Sequence, residues 1–316
     1  MTLTRRTGLL LGAGALAAPF VLRGAKPALA AADMMGASRP DHMRFVHGEF
    51  EVTTLFDGFA QMPGPHPIFG QDQEVAEVAA LMEANNLRSD RMEIGFTTTL
   101  VNTGKELVLF DTGNDATQRA TAGKTHAHLM RAGYTPEDVD IVVLTHFHGD
   151  HIGGMMTDGK ATYSNARYVT NAIEYDHWIG EENENAVAKV KPFADRMTFI
   201  KDGEDVVSGI TAMAAYGHTP GHTIYHVESG DKRVLITADS ANHFVASLER
   251  PDWHVRFDMD KEAAAATRKR VFGMLAADGI PFIGYHMPYP AVGFVKDNGS
   301  GGFDYTAADS QVFIEG

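Results

Sequence analysis

The sequence predicts a mixed α/β domain in which layers of sheet are covered by helices. Three observations carry that prediction. Apolar runs of strand length alternate with helical periodicities through both halves of the chain. No repeat, low-complexity tract or linker divides residues 46–316. Several apolar runs end directly in loops bearing His or Asp, as strands do when they deliver chemistry to a sheet edge.

The elements follow in order. Phe50–Phe56 (FEVTTLF) reads as a strand stopped by Asp57-Gly58, and Glu74–Glu83 has helical periodicity. Thr97–Asn102 and Leu107–Asp111 form a strand pair around Thr103-Gly104-Lys105, and after Asp111-Thr112-Gly113 a helical pattern runs to Arg131. Thr135–Asp138 is a turn or helix start leading into the buried strand Val139–Leu144. Tyr168–Thr170 is a short strand, and Ala172–Trp178 begins a helix. Strands are expected at Met197–Ile200, Thr211–Ala215, Thr223–Glu228 and Val234–Ala238. Ala263–Ala277 is helical until Asp278-Gly279, and Ile280–Tyr285 is a last buried strand.

The first 30 residues are a separate object. Arg5 and Arg6 precede the apolar run Gly8–Leu22, and Ala28-Leu29-Ala30 offers a cleavage site, after Ala30 or Ala32. This pattern predicts a twin-arginine signal peptide over 1–30, a linker over 31–45, and a periplasmic or secreted protein. The apolar run is too short and too rich in Gly and Ala to span a bilayer, so no stable membrane anchoring is expected after cleavage. Cutting after Ala30 removes four cations and no acid, taking the formal charge from -14 to -18. That acidity argues against nucleic acid as a partner and favours a small-molecule substrate; a homodimer is compatible with the sequence. The chain has no cysteine, so an exported protein holds together without disulfides, and any metal is bound by His, Asp and Glu.

The stretch THFHGDHIGG, Thr145–Gly154, follows the buried IVVL run. On extended backbone His146 and His148 point the same way, while Asp150 and His151 follow in the turn. One pair could hold one ion while Asp150 and His151 turn toward a second. Further donor types sit at other strand ends: His218 and His222 in GHTPGH, Asp239 after Val234–Ala238, and His286 after Ile280–Tyr285. The recurrence predicts one site built from four connections.

HFHGDH, GHTPGH, Asp239 and His286, in this order and spacing, resemble the metallo-β-lactamase superfamily in its dinuclear hydrolase branch. The resemblance implies a four-layer αββα sandwich with metals at one edge. It implies a first metal on His146, His148 and His218, a second on Asp150, His151 and His286, and Asp239 bridging both. It makes His222 an outer residue and Asp111 a structural one. The implied chemistry is a metal-bridging hydroxide cleaving an ester, lactone or phosphotriester, with Asp150 and Asp239 orienting it. His and carboxylate donors suit two divalent ions, zinc first, with manganese, cobalt or iron accommodated equally. LVNTG, VLFDTG, GHTPGHT and HMPYP are most similar to the exported methyl parathion hydrolase and lactonase branch. Trp178 matches an aromatic lining position there, and His243 and Phe244, just after Asp239, are further candidates for the pocket.

Rival readings are a mononuclear iron oxidoreductase of the persulfide dioxygenase kind on the same fold, and a thioesterase or β-lactamase-like hydrolase. The full set of seven donors disfavours the first. Asp239 disfavours a true β-lactamase, which has Ser or Cys at that position.

Overall fold

The computed structural model describes Met34 and residues 36–313; the predicted signal peptide lies outside the described residues. The chain divides into two units, Met1–Arg39 and Pro40–Gly316. The described residues of the first are exposed and form no helix or strand.

The second unit opens with β1 (His42–His47), β2 (Phe50–Met62), α1 (Val75–Ala84), β3 (Met92–Asn102) and β4 (Leu107–Phe110). α2 (Thr125–Arg131), β5 (Ile141–Val143) and α3 (Gly149–Ile152) follow, then a small hairpin of β6 (Met156–Thr157) and β7 (Lys160–Ala161). β8 (Arg167–Asn171), α4 (Ala172–Gly180), α5 (Glu184–Lys189) and β9 (Met197–Ile200) complete the first half. The second half contains β10 (Asp205–Val207), β11 (Ile210–Ala214), β12 (Thr223–Ser229) and β13 (Lys232–Ala238). It ends with α6 (Ala246–Glu249), α7 (Lys261–Asp278), β14 (Phe282–Gly284), β15 (Val292–Asp297) and β16 (Phe303–Ala307). One seven-stranded sheet has the order β1-β2-β3-β4-β5-β8-β9, the other runs from β10 to β16 in sequence.

The layering follows from side-chain alternation. In β4, Val108 and Phe110 point into the core between the sheets, where the Phe110 ring meets Tyr225 of β12 at 5.2 Å. Leu107 and Leu109 point the other way and pack with Leu129 of α2. A strand buried on both faces reads as a continuous apolar run, and LVLF and IVVL do. On the second sheet α7 lays down Ala264, Arg268, Val271 and Leu275 at helical spacing, with Phe272 edge-on to Phe282 of β14 at 5.2 Å. The result is the predicted αββα sandwich. Removing Phe110 would cost about 3–5 kcal/mol of core packing.

Three expectations are corrected. The domain begins before residue 46, because β1 starts at His42 inside the expected linker and pairs with β2 from His42↔Leu55 to His47↔Phe50. The helix expected between Gly113 and Arg131 is confined to α2; residues 114–124 fold instead around buried Asp57, which accepts from the amides of Asn114, Gly123 and Thr125. The run Glu181–Asn185, whose polar sequence predicts a solvated loop or lid, instead ends in α5, whose first turn is capped by the Asn183 side chain.

β4 and β5 are parallel, and β11, β13 and β14 run in one direction. The connections at their carboxyl ends therefore gather at shared edges, where open sheets carry their chemistry.

Candidate metal centre

β5 delivers Thr145 and His146 into full burial. Asp111, at the end of β4 and in left-handed backbone (φ 61°), fixes this delivery. Its Oδ1 accepts from the Thr145 amide at 2.9 Å, and its Oδ2 accepts from the Thr145 hydroxyl at 2.8 Å and lies 2.8 Å from His151 Nδ1. The turn then closes through Gly154, where a Cβ would sit 2.1 Å from the Thr112 carbonyl oxygen, so only glycine fits.

Three imidazole nitrogens converge from two loops. His146 Nε2, His148 Nδ1 and His218 Nε2 lie 3.1, 3.0 and 3.2 Å apart. Three nitrogens at mutual hydrogen-bond distance cannot all be satisfied by one another, which suits a shared cation. Asp239, after β13, faces them with Oδ2 at 3.3 Å from His218 Nε2 and 3.8 Å from His146 Nε2. The same oxygen lies 3.1 Å from His286 Nε2, while Oδ1 lies 3.1 Å from His151 Nε2. That last pair is close but not aligned as a hydrogen bond: both atoms are buried without a hydrogen-bond partner. Asp150 Oδ2 stands 3.7 Å from His151 Nε2 and 3.6 Å from His286 Nε2. The donors thus form two groups, His146–His148–His218–Asp239 and Asp150–His151–His286, with the donor atoms of each within 4.8 Å of one another.

The ring nitrogens facing away are held from behind. His218 Nδ1 meets Asp258 Oδ1 at 2.8 Å, and His286 Nδ1 meets the Gly95 carbonyl at 2.9 Å. Such outer partners fix the tautomer and orient the lone pair. Asp258 accepts from Arg268 Nη2 at 2.7 Å; this buried guanidinium also donates to the carbonyls of Ser240 and Pro251, tying the loop after Asp239 and the segment between α6 and α7 to α7. His222 holds the Ala215 carbonyl through Nδ1 at 2.9 Å and accepts the Asp239 amide at Nε2, 3.1 Å away. It therefore supports Asp239 from its backbone side. Ala238, just before Asp239, is a non-glycine residue in left-handed backbone (φ 42°), at a register shift between β13 and β14.

Electrostatics agree with this division. Burial, with His151 nearby, drives His146 well below the ordinary imidazole value, and burial with His218 nearby takes His148 to about 3. Both are neutral donors. For His151 burial opposes the charge, but Asp239, Asp111 and Asp150 outweigh it and raise it well above the usual range. For His218 burial is likewise outweighed, here by bonds to Asp239 and Asp258, and its value rises to about 9. Carboxylates that hold imidazolium protons this firmly offer the same negative potential to divalent cations. The orphaned His151 Nε2 and Asp239 Oδ1, the three converging nitrogens and the thiol-free donor set fit two such ions.

The centre opens into a cavity of about 240 Å³ walled by Met62, Ile94, Phe96, Arg119 and Phe257. None of the three expected pocket residues lines it. Trp178 lies beside His148, ring centroids 5.6 Å apart, with its indole nitrogen bonded to Glu174. His243 and Phe244, stacked 5.0 Å apart, line a neighbouring cavity of about 510 Å³ with Met82, Leu87 and Met92; Met62 borders both cavities. The sequence reading missed Asp258, Arg268 and Glu174. None of the three belongs to a ligand-spaced motif, and only the Trp178 spacing of four residues hinted at Glu174.

Comparison with known proteins gives a consistent result. The sequence model described as "Metallo-beta-lactamase superfamily" matches residues 97–278. "N-acyl homoserine lactonase AiiA" of Bacillus thuringiensis subsp. kurstaki is 28% identical over 114 residues, 36% of this chain and 43% of that protein. An "N-acyl homoserine lactonase" of Bacillus sp is 28% identical over 143 residues, 45% of this chain and 54% of that protein. The chain therefore spans about half the length of the curated relatives it matches. Among solved structures, AidC, a dizinc quorum-quenching lactonase in complex with a product, N-hexnoyl-L-homoserine, superposes with a TM-score of 0.77. It is 26% identical over 85% of this chain and 97% of that one. Hydrolase AbOPH in the beta lactamase superfamily superposes with a TM-score of 0.80 at 24% identity, over 86% of this chain and 99% of that one, a likeness of fold.

Proposed function

We propose that this chain, which belongs to the metallo-beta-lactamase superfamily, is a hydrolase that opens lactones or cleaves related esters at a centre of two divalent ions, zinc first. The observation that carries this is the convergence of seven His and Asp donors into two adjoining groups that share Asp239. His146, His148 and His218 would hold one ion, Asp150, His151 and His286 the other. Ions held there would supply Lewis acidity toward a carbonyl oxygen and lower the pKa of water.

The chain's own residues do the rest. Asp239 faces both groups, Oδ2 toward His218 and His286 and Oδ1 toward His151, and its charge would offset the repulsion between two cations held there. Asp150 lines the cavity with its side chain 24% exposed, and sits where it can take a proton from the attacking water and return it to the leaving alkoxide. Phe96, Phe257 and Met62 exclude bulk water around the reacting carbonyl.

The shape of the walls supports an acyl substrate. Phe96, Ile94 and Met92 are alternate residues of β3 and share one face, an apolar track of about 13 Å. The track begins in the metal cavity and ends in the second cavity. A lactone with an acyl tail would lie along it, and the lactonase relatives support the same substrate class. Phosphotriesters, as in the methyl parathion hydrolase branch, are a second class for the same electrophile chemistry; the aromatic wall of Phe96 and Phe257 favours them. Export through Arg5 and Arg6 to the periplasm or medium belongs to the same proposal.

The test is elemental analysis of protein purified without chelator, with a panel of acyl homoserine lactones, aryl esters and phosphotriesters. Two metal equivalents and turnover rising from butanoyl to decanoyl lactones are expected. Full activity with one equivalent, or iron with persulfide oxidation, overturns the reading.

A further inference from the structure

We infer that Glu174 is a positioning residue for the first metal group: its buried carboxylate clamps the loop carrying His146 and His148 to the loop carrying His218. The inference rests on the two-ion reading above, but it concerns a residue outside both donor groups.

Glu174 lies in the first turn of α4 and has no exposed surface. Its Oε1 accepts from the Phe147 amide at 2.9 Å and from the Trp178 indole nitrogen at 2.6 Å. Its Oε2 accepts from the Thr219 hydroxyl at 2.7 Å and from the Gly221 amide at 2.9 Å. Phe147 sits between His146 and His148, and Thr219 follows His218. One oxygen therefore reads each ligand loop. Backbone contact between these loops is sparse; the amide of Thr223 bonds the Thr145 carbonyl at 3.1 Å. Glu174 adds a second tie, on the side of the imidazoles themselves.

The chemistry of the clamp is specific to a carboxylate. Four donors occupy the four lone-pair directions of two oxygens. Burial raises the carboxyl pKa, and all four donors oppose that rise. A proton on either oxygen would confront one of the donors, so the clamped form is the anion. Glutamine would turn an amide NH₂ toward two donors, of which at least one is a backbone N–H or indole N–H that cannot reverse. The clamp also dictates sequence nearby: a Cβ at Gly221 would sit 2.2 Å from the Glu174 backbone nitrogen, so only glycine lets the loop approach. Through Trp178 it presses an indole edge against His148, ring centroids 5.6 Å apart.

Three nitrogens within 3.2 Å of one another, contributed by loops 70 residues apart, need their separation set to a fraction of an ångström. Glu174 sets it. Asp57 is the natural control. It too is a fully buried carboxylate that collects amides, but only from residues 114–125, and it bonds to no ligand loop.

The experiment compares the wild type with Glu174→Gln, Thr219→Val, Trp178→Phe and Asp57→Asn. Each protein is assayed for the apo-form melting temperature, for zinc affinity by chelator competition, and for the visible spectrum of the cobalt-loaded protein. Glu174→Gln should weaken one of the two zinc sites about 10–100-fold and shift the cobalt bands. Thr219→Val and Trp178→Phe, which each remove one donor and leave the carboxylate, should give smaller shifts in the same direction. Asp57→Asn should lower the melting temperature with zinc affinity unchanged. Wild-type zinc affinity and cobalt bands in Glu174→Gln would overturn the inference. So would an equal loss of affinity in Asp57→Asn, which would mark the effect as general destabilisation. If Glu174→Gln does not fold, the two single-donor variants decide, and unshifted cobalt bands in both overturn the inference. A wild type that binds two ions but hydrolyses none of the panel would sink the proposed substrate and leave Glu174 untouched.

Discussion

The two donor groups of the centre differ in how they are backed. In the first, His146 and His218 are fully buried, and His218 leans on Asp258, itself paired with buried Arg268. In the second, His151 leans on Asp111, but His286 leans on a neutral carbonyl, and Asp150 faces the cavity with a quarter of its side chain exposed. A charged, buried backing fixes a lone pair and raises ligand basicity; an open carboxylate yields access instead. Only the first group has a guanidinium behind its backing carboxylate, and only the second has a carboxylate donor open to the cavity, so the first is expected to hold its ion longer and the second to exchange it sooner.

The largest effect should come from the residue common to both. Asp239→Ala removes the oxygens facing both groups, so metal content should fall from two equivalents toward none and turnover by well over ~100-fold, beyond the range typical of outer partners. Elemental analysis of the variant decides this; retention of two ions would show that the groups are independent.

Next comes the contrast itself. Titration with a chelator should strip one equivalent before the other, and Asp150→Asn should lower the first midpoint while leaving the second in place. Simultaneous release of both ions would mean that the structural difference has no energetic counterpart.

Asp258→Ala sharpens the comparison from the first group's side. It strands the buried Arg268 guanidinium, at a cost of about 3–5 kcal/mol measured by denaturant unfolding. The double variant with Arg268→Met should recover much of that stability but not the zinc affinity.

The smallest effect lies beside the second group. Lys189 bonds the Asp115 carboxylate at 2.7 Å and the Gly153 carbonyl at 3.3 Å, bracing the loop just after His151. Partial burial pushes the Asp115 carboxyl up, but Lys189 and Thr117 prevail and hold it at about 2. A carboxyl lowered in the folded state contributes stability above its unfolded value near 4, and this is lost as pH falls through about 2. Asp115→Asn should therefore lower stability by no more than about 1 kcal/mol at neutral pH. The difference in melting temperature from wild type should vanish between pH 4 and pH 2; a constant difference would place the effect elsewhere.

The fold was legible wherever one strand carried its own evidence. LVLF and IVVL announce sheets covered on both faces, and α7 announces itself from its apolar spacing to the left-handed Gly279 that ends it. The donors that the structure gathers were legible because four of them lie within one six-residue stretch and the loops that carry all seven follow apolar runs. What stayed hidden depends on partners distant in sequence. The helical pattern after Gly113 yields to Asp57, more than fifty residues earlier. β1 was lost in the expected linker because only its pairing with β2 gives HMRFVH a structure. Asp258 and Glu174 are single acids in unremarkable contexts, 40 and 27 residues from the loops they brace. His243 and Phe244 were close to Asp239 in sequence, but the chain turns them into the adjoining cavity.

Ala238 has a consequence for how such a chain can change over generations. Its left-handed backbone aims the carboxylate shared by both groups, and that conformation costs a non-glycine residue roughly 1–3 kcal/mol. Glycine there would relax the backbone and raise heat resistance, while letting the following aspartate swing. A β-branched residue would meet a clash it could not relieve. Selection for a sturdier fold and selection for a truer aim therefore pull in opposite directions at this one position, and alanine is the smallest side chain that still stiffens the turn.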